Sequence, residues 1–162
     1  MCSSDLQVGV LASPAHPDLR YLGDDAATAR TFREVDGVRC CIPGDLATVH
    51  PDGTITLLGR DGRVINTGGE KVFAEEVEAA LLTHPDVEDA VVVGRPHELW
   101  GSEVVAVVAM RPASDVQPER LREFVGTRLA NYKAPKRVVQ VAEIARKANG
   151  KADLQWAREL SG

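Results

Sequence analysis

Gly59-Arg60-Asp61-Gly62-Arg63-Val64-Ile65-Asn66-Thr67-Gly68-Gly69-Glu70-Lys71-Val72-Phe73, running into Ala74-Glu75-Glu76-Val77-Glu78, is where the chain changes character. On its C-terminal side the apolar residues take up a helical period. Residues 74–83 place Val77, Ala80 and Leu81 at i, i+3 and i+4, with Glu75, Glu76 and Glu78 in the first turns, where the helix dipole favours anions. His84-Pro85 ends that helix, because the residue before a proline is pushed out of the α region. On the N-terminal side, residues 7–59 are rich in Gly, Pro and Asp, with short apolar runs at 8–11 and 46–49 that predict strands and loops. Pro51-Asp52-Gly53 is a turn signal, since Pro presets φ and Gly tolerates φ > 0, so residues 45–49 and 54–58 are expected to pair as a hairpin. A lone hairpin of this size is marginal and needs a sheet to join.

Beyond the first helix, residues 87–93 and 103–110 are β-branched runs long enough for buried strands, and turn residues over 94–101 connect them. Residues 117–129 return to a helical period, with Leu121, Phe124, Val125 and Leu129 on one face and Pro118 suited to a first helical position. A short strand at 138–141 follows, and after Asn149-Gly150 an amphipathic helix is expected over 152–160. The order strand, helix, strand, strand, helix, strand, helix predicts a small α+β domain over 61–162, a helix-covered short sheet preceded by a β-rich segment.

A length of 162 residues suits one average domain, or one small domain with a further piece. Apolar residues at 44% and charged residues at 27% fit an ordinary soluble globular chain, and no apolar run is long enough for a membrane span. A net charge of -5 argues against a general nucleic-acid binder, which needs surplus cations to displace counterions from phosphates. The local basic cluster is Lys133, Lys136 and Arg137. Cys2, Cys40 and Cys41 offer no CxxC spacing, so neither a disulfide framework nor a metal site is indicated, and a reducing cytoplasm fits best. No basic n-region followed by an apolar h-region is found in the first residues, so a secretory signal is not expected there. Met1-Cys2-Ser3-Ser4-Asp5-Leu6 back-translates to GTG TGC TCT TCC GAT CT, a common sequencing-adapter end, so residues 1–6 are expected to be a non-native N-terminus. Re-sequencing the source locus tests that expectation.

Three separated blocks carry a resemblance. Cys41-Ile42-Pro43-Gly44-Asp45-Leu46-Ala47, followed by Asp52-Gly53 and Leu58-Gly59-Arg60, resembles the Gly-Asp, hairpin and Gly-Arg pattern of the adenylate-forming (AMP-binding) superfamily. The stretch 59–78 is similar to the family's hinge and glycine-loop motif, and Asn149-Gly150-Lys151-Ala152-Asp153 to its terminal catalytic-lysine motif. Upstream, Tyr21-Leu22-Gly23-Asp24 with Thr28-Ala29-Arg30-Thr31-Phe32 resembles the end of the family's large domain. Each block alone recurs by chance in turns, but their order and spacing together are specific. They cover nearly all of the chain after Leu6. The Ser/Thr/Gly-rich phosphate loop of the family, which lies far upstream, is absent.

The resemblance implies a C-terminal fragment of a fatty-acid or steroid-acid type acyl-CoA synthetase. Residues 7–60 would be the β-rich remnant of the large N-terminal domain and 61–162 the small C-terminal lid domain. Such enzymes convert a carboxylic acid and ATP, with Mg2+, to an acyl-adenylate and then pass the acyl group to CoA. The missing large domain is the implied partner, the fragment alone is expected to be inactive, and Mg2+ is not expected to be bound by it. By the same resemblance Lys151 is the catalytic cation, neutralising charge that develops as two anions are brought together, and Gly150 lets its loop enter a crowded site. Asp45 would accept hydrogen bonds from the ribose hydroxyls, and Arg60 would meet ribose and phosphate oxygens with its planar fork. Gly62 matches the hinge, where many relatives carry Asp or Lys. Gly68 and Gly69 would line the path of the CoA thiol, Trp100 would pack along the pantetheine, and Tyr132, Lys133 and Lys136 would hold the CoA nucleotide.

Each role has a plainer competitor. Asn149-Gly150 can also be read as a surface turn carrying a solvated lysine, Asp45 as a turn residue, Arg60 as a solvated ion-pair partner, Gly68-Gly69 as an ordinary turn, Trp100 as half-buried core, and 132–137 as a basic loop. Ala134 stands where some relatives have Arg, Pro43 where Thr is usual, and Ala145-Arg146-Lys147 lacks the usual proline. The rival functional readings are a peptide-synthetase-type adenylation domain fragment and a non-catalytic α+β interaction module.

Overall fold

The computed structural model describes residues 8–162, so the expectation for residues 1–6 lies outside the described residues. The chain divides into two compact units, Met1–Gly62 and Arg63–Gly162. In the first, β1 (Val8–Val10) and β2 (Ser13–Pro14) precede α1 (Asp25–Thr31), which is followed by β3 (Phe32–Val35), β4 (Val38–Cys41), β5 (Asp45–Val49) and β6 (Ile55–Arg60). They form two three-stranded sheets, β1-β5-β6 and β2-β4-β3. The β5–β6 hairpin expected from Pro51-Asp52-Gly53 is present. His50 N–H donates to the Thr54 carbonyl at 2.8 Å, Gly53 takes φ +83, and the Asp52 carboxylate accepts from both the amide and hydroxyl of Thr54.

Two elements of this unit were not expected. α1 is capped by Asp24, whose Oδ1 accepts from Ala27 N at 2.7 Å, yet it buries no residue and so shows no apolar period. The β3–β4 hairpin turns on Asp36-Gly37, both at positive φ (+50 and +77), as a type I′ turn requires.

The second unit opens with a 3-10 turn shared across the boundary (Asp61–Arg63), then β7 (Val64–Thr67), β8 (Glu70–Phe73), α2 (Ala74–Leu82), β9 (Val87–His97), β10 (Gly101–Met110) and α3 (Pro118–Gly126). A second 3-10 turn (Asn131–Lys133), β11 (Arg137–Val141) and α4 (Leu154–Leu160) complete it. β10 is the axis of the five-stranded sheet. Along one side it pairs antiparallel with β9; along the other it pairs parallel with β11 over Val105–Ala109 and meets β7 at Gly101 opposite Thr67.

Because successive side chains of a strand point to opposite faces, the unbroken run Val104–Ala109 serves two cores. Val104, Ala106 and Val108 pack with Val77 and Leu81 of α2 and with Leu121 and Val125 of α3. Val105, Val107 and Ala109 pack instead with Ile144 and Ala157, the latter on α4. The helix-covered α+β sheet expected from the sequence is therefore covered on both faces. The 94–101 connection is shorter than expected: β9 continues to His97, and the cross-strand ion pair of Arg95 with Glu103 at 3.2 Å extends the ladder. α3 also ends earlier, at Gly126, its last turn closed by Thr127 N–H on the Glu123 carbonyl. Among the described residues no helix is long and apolar enough to cross a membrane.

Candidate functional site

Asp45 and Arg60 are direct register partners across β5 and β6, and the ladder brings them together: Arg60 Nε donates to Asp45 Oδ1 at 3.1 Å. The local backbone arranges this. Gly44 (φ +90) and Gly59 (φ +117) flank the pair, a register shift falls between Leu46 and Ala47, and Asp61 N–H closes on the Gly44 carbonyl. Arg60 engages through Nε alone, so its two terminal nitrogens have no hydrogen bond among the described residues. A guanidinium held by its inner nitrogen, with its outer pair free beside a partly buried carboxylate, can present donors and acceptors to a polyhydroxyl or phosphate group.

Lys151 sits on an exposed hairpin-like loop. Arg146 bridges Ala152, Lys147 N–H donates to the Lys151 carbonyl at 2.9 Å, and Gly150 turns the loop at φ +78. Its ammonium makes no ion pair or hydrogen bond among the described residues, so the cation is available to an anionic ligand. Gly62 lies within the 3-10 turn at the unit boundary. It does not adopt positive φ, and a Cβ there would meet nothing within 4 Å, so local geometry does not demand glycine at this point.

In the second unit Gly68, Trp100, Tyr132 and Lys136 meet around a cavity of about 490 Å³, together with Thr67, Glu70, His97 and Glu103. Gly68 and Gly69 form the two-residue loop of the β7–β8 hairpin, at φ +58 and +89. Positive φ at both central positions is what a type I′ turn needs, so the turn by itself accounts for the glycine pair. Gly68 also donates its N–H to the Trp100 carbonyl at 2.9 Å, and a Cβ on it would stand 3.1 Å from the indole. The Trp100 ring is half exposed, so it forms a rim and not core.

Two of the expected residues do not line this cavity. Gly69 turns away into open space. Lys133 is bound by Glu76 of α2, whose two carboxylate oxygens accept from Nζ at 2.8 and 2.7 Å. That pairing neutralises Lys133 and ties the 3-10 turn Asn131–Lys133 to α2, leaving Lys136 as the cavity's lysine.

Residues that sequence reading passed over complete the picture. Glu70, His97 and Glu103 reach the cavity from three strands, and only the ladder pairings bring them together; Glu103 is ion-paired with Arg95. At the base of the unit, Arg63 pairs with Glu75 at 3.2 Å and with Glu78, which also accepts from Val92 N at 2.7 Å. Burial pushes the Glu78 carboxyl above its ordinary range despite the opposing pull of Arg63 and the Val92 amide. The signal was present in the sequence as an Arg and two acids at helical spacing, but nothing local distinguished them from a solvated face.

Residues 76–151 match the AMP-binding enzyme C-terminal domain family. A medium-chain acyl-CoA ligase of Mycobacterium avium is 52% identical over 152 residues, covering 94% of this chain and 28% of that protein. A 3-oxocholest-4-en-26-oate--CoA ligase of Rhodococcus rhodochrous is 47% identical over 156 residues, 96% of this chain and 28% of that protein. Among solved structures, an o-succinylbenzoate CoA synthetase from Bacillus subtilis in complex with its acyl-adenylate intermediate superposes with a TM-score of 0.79 at 28% identity, over 90% of this chain and 29% of that one. The chain thus spans somewhat over a quarter of the length of these relatives.

Proposed function

We propose that this chain is the C-terminal part of an acyl-CoA synthetase acting on a fatty or steroid acid, a reading supported by the match of residues 76–151 to the AMP-binding enzyme C-terminal domain family. The intact enzyme activates a carboxylic acid with ATP to an acyl-adenylate and passes the acyl group to CoA. Lys151 supplies the positive charge for the first half-reaction. The observation that carries this reading is its ammonium, solvent-exposed and unpaired among the described residues, on a loop within the matched segment. A free cation delivered to a water-poor site stabilises charge developing at the α-phosphate and carboxylate far better than it would in water.

Asp45 and Arg60 receive the ribose and its neighbouring phosphate, using the Asp45 oxygens and the outer nitrogens that Arg60 leaves free. The cavity rimmed by Gly68, Trp100, Tyr132 and Lys136 takes the CoA arm, with the indole and phenol as apolar walls and Lys136 as the cation for a phosphate. Lys133 serves by fixing Tyr132 through Glu76. Gly62 is the pivot between the two half-reactions and Gly69 keeps the turn shape. Mg2+ travels with ATP and is held by the large domain. The unpaired thiols of Cys40 and Cys41 support a reducing, cytoplasmic setting.

The test joins residues 8–162 to the upstream part of the Mycobacterium avium relative and follows pyrophosphate release with a panel of carboxylic acids. Lys151→Ala is expected to lower acyl-adenylate formation by on the order of 100-fold or more. Adenylate formation at the parent rate would remove Lys151 from its role. Acyl transfer to a carrier protein but not to CoA would favour the peptide-synthetase alternative.

A further inference from the structure

The backbone bonds of the Lys151 loop give it a shape but do not anchor it. Lys147 N–H to the Lys151 carbonyl, Gly150 N–H to the Lys147 carbonyl and Lys151 N–H to Asn149 Oδ1 are all internal to five residues. A loop held only in this way swings on its stem. Among the described residues, a single side chain ties its tip to the domain. One terminal nitrogen of Arg146 donates to the Gly150 carbonyl at 2.8 Å, and the other is bound by the Asp89 carboxylate on β9. Asp89 is itself held, its other oxygen accepting from Ala90 N at 2.9 Å.

The Gly150 carbonyl belongs to the peptide that carries the Lys151 nitrogen. Fixing it therefore fixes the direction in which the Lys151 side chain leaves the loop. The stem below is secured by Asp153 N–H on the Ala145 carbonyl, and by Ile144 and Ala152 in the second core. We propose that Arg146 is a positioning residue: bridging Asp89 and the Gly150 carbonyl, it aims Lys151 for the adenylate-forming half-reaction. The inference rests on the role given to Lys151 above.

A guanidinium suits the task because its planar fork points two donors at two fixed acceptors, which a single ammonium does less rigidly. The Arg146 side chain is 48% exposed, and exposed ion pairs contribute little to global stability. Its removal should therefore loosen the tip and leave the domain standing. A misplacement of roughly 1 Å in a reacting group can lower a rate on the order of 100-fold.

Two measurements test this. Amide hydrogen exchange on the 162-residue chain compares the parent with Arg146→Ala. Exchange at Lys147, Gly150 and Lys151 is expected to quicken by about tenfold or more, with the amides of Val105–Ala109 unchanged. Unchanged loop exchange, or a uniform rise across the unit, overturns the proposal. In the joined ligase, each half-reaction is measured separately, the second by supplying acyl-adenylate and CoA directly. Arg146→Ala and Asp89→Ala should each slow adenylate formation by roughly 10- to 100-fold while leaving thioester formation at the parent rate, and the double variant should be no worse than either single one. Equal loss in both half-reactions, no loss, or additive losses overturn it. Lys151→Ala run alongside separates the two claims: if that variant keeps the parent adenylation rate, the reading of Lys151 fails, and the exchange data alone decide whether Arg146 anchors the loop.

Discussion

An alanine at Gly68 would set its methyl 3.1 Å from the Trp100 ring while holding φ near +58, whereas one at Gly69 would hold φ near +89 and meet nothing. Both substitutions carry the left-handed backbone cost, about 1–2 kcal/mol each. Only Gly68→Ala must also displace the indole. Both variants should therefore lose comparable thermal stability, while Gly68→Ala alone shifts the fluorescence of Trp100, read in a Trp156→Phe background because these are the chain's 2 tryptophans. Identical emission from the two glycine variants would remove the contact from the account. Glu78 makes a second residue-scale case. Its folded-state carboxyl binds a proton more tightly than the unfolded one does, so the contribution of Glu78 to stability is fully present below the unfolded value and is lost as pH rises through the folded value. Glu78→Gln cannot titrate. In urea denaturation, the parent should lose stability relative to that variant as pH climbs from about 4.3, with the difference levelling once Glu78 is ionised. A difference that is flat across that window would contradict the burial argument.

At the scale of elements, legibility followed how strongly each segment's own pattern agreed with its burial. β10 reads as a strand from its β-branched run alone, and its burial from Val104 to Ala109 follows from helices on both faces. α3 was legible through Leu121 and Val125, both fully buried against the sheet, so Leu121→Ala should destabilise the second unit by roughly 2–5 kcal/mol in urea melts followed by circular dichroism. α1 was not legible, because seven residues that bury nothing leave no period to find. The Asp36-Gly37 and Gly68-Gly69 hairpins carried clear turn signals, but their strands are four residues long and too short to show alternation. The candidate site divides the same way. Lys151, Asp45 and Arg60 stand out through motif spacing, and the ladder then pairs two of them. Glu70, Glu103 and His97 come together only through strand pairing, Arg146 reaches Asp89 across 57 positions, and no local pattern reports such groupings.

The two units of the molecule differ in what holds each together. Nearly all fully buried apolar side chains lie after Arg63: the sheet has a core on each face, and Leu81, Val105, Val107, Leu121 and Val125 are wholly enclosed. The first unit buries Cys40, Leu46, Ala47 and Thr48 but leaves Val8, Val10, Val49, Ile55 and Leu57 open on its β1-β5-β6 sheet. Apolar burial at about 25 cal/mol per Å² is the main favourable term in folding, so a unit that leaves its sheet residues in water has little to set against the entropy of ordering its backbone. Exposed apolar area on a three-stranded sheet also invites association. Denaturation of the isolated chain should therefore break two-state behaviour, with the first unit lost at lower urea. Hydrogen exchange read by mass spectrometry across a urea series separates the units directly: peptides from β5 and β6 should lose protection well before those from β9 and β10. Deleting the residues before Asp61 should leave the β9 and β10 midpoint in place, because the second unit carries both of its cores within itself. A single transition in which all these strands open together would show that the first unit draws stability from sources other than its own buried surface, and a midpoint that falls on deletion would show that the second unit's own cores do not account for its stability.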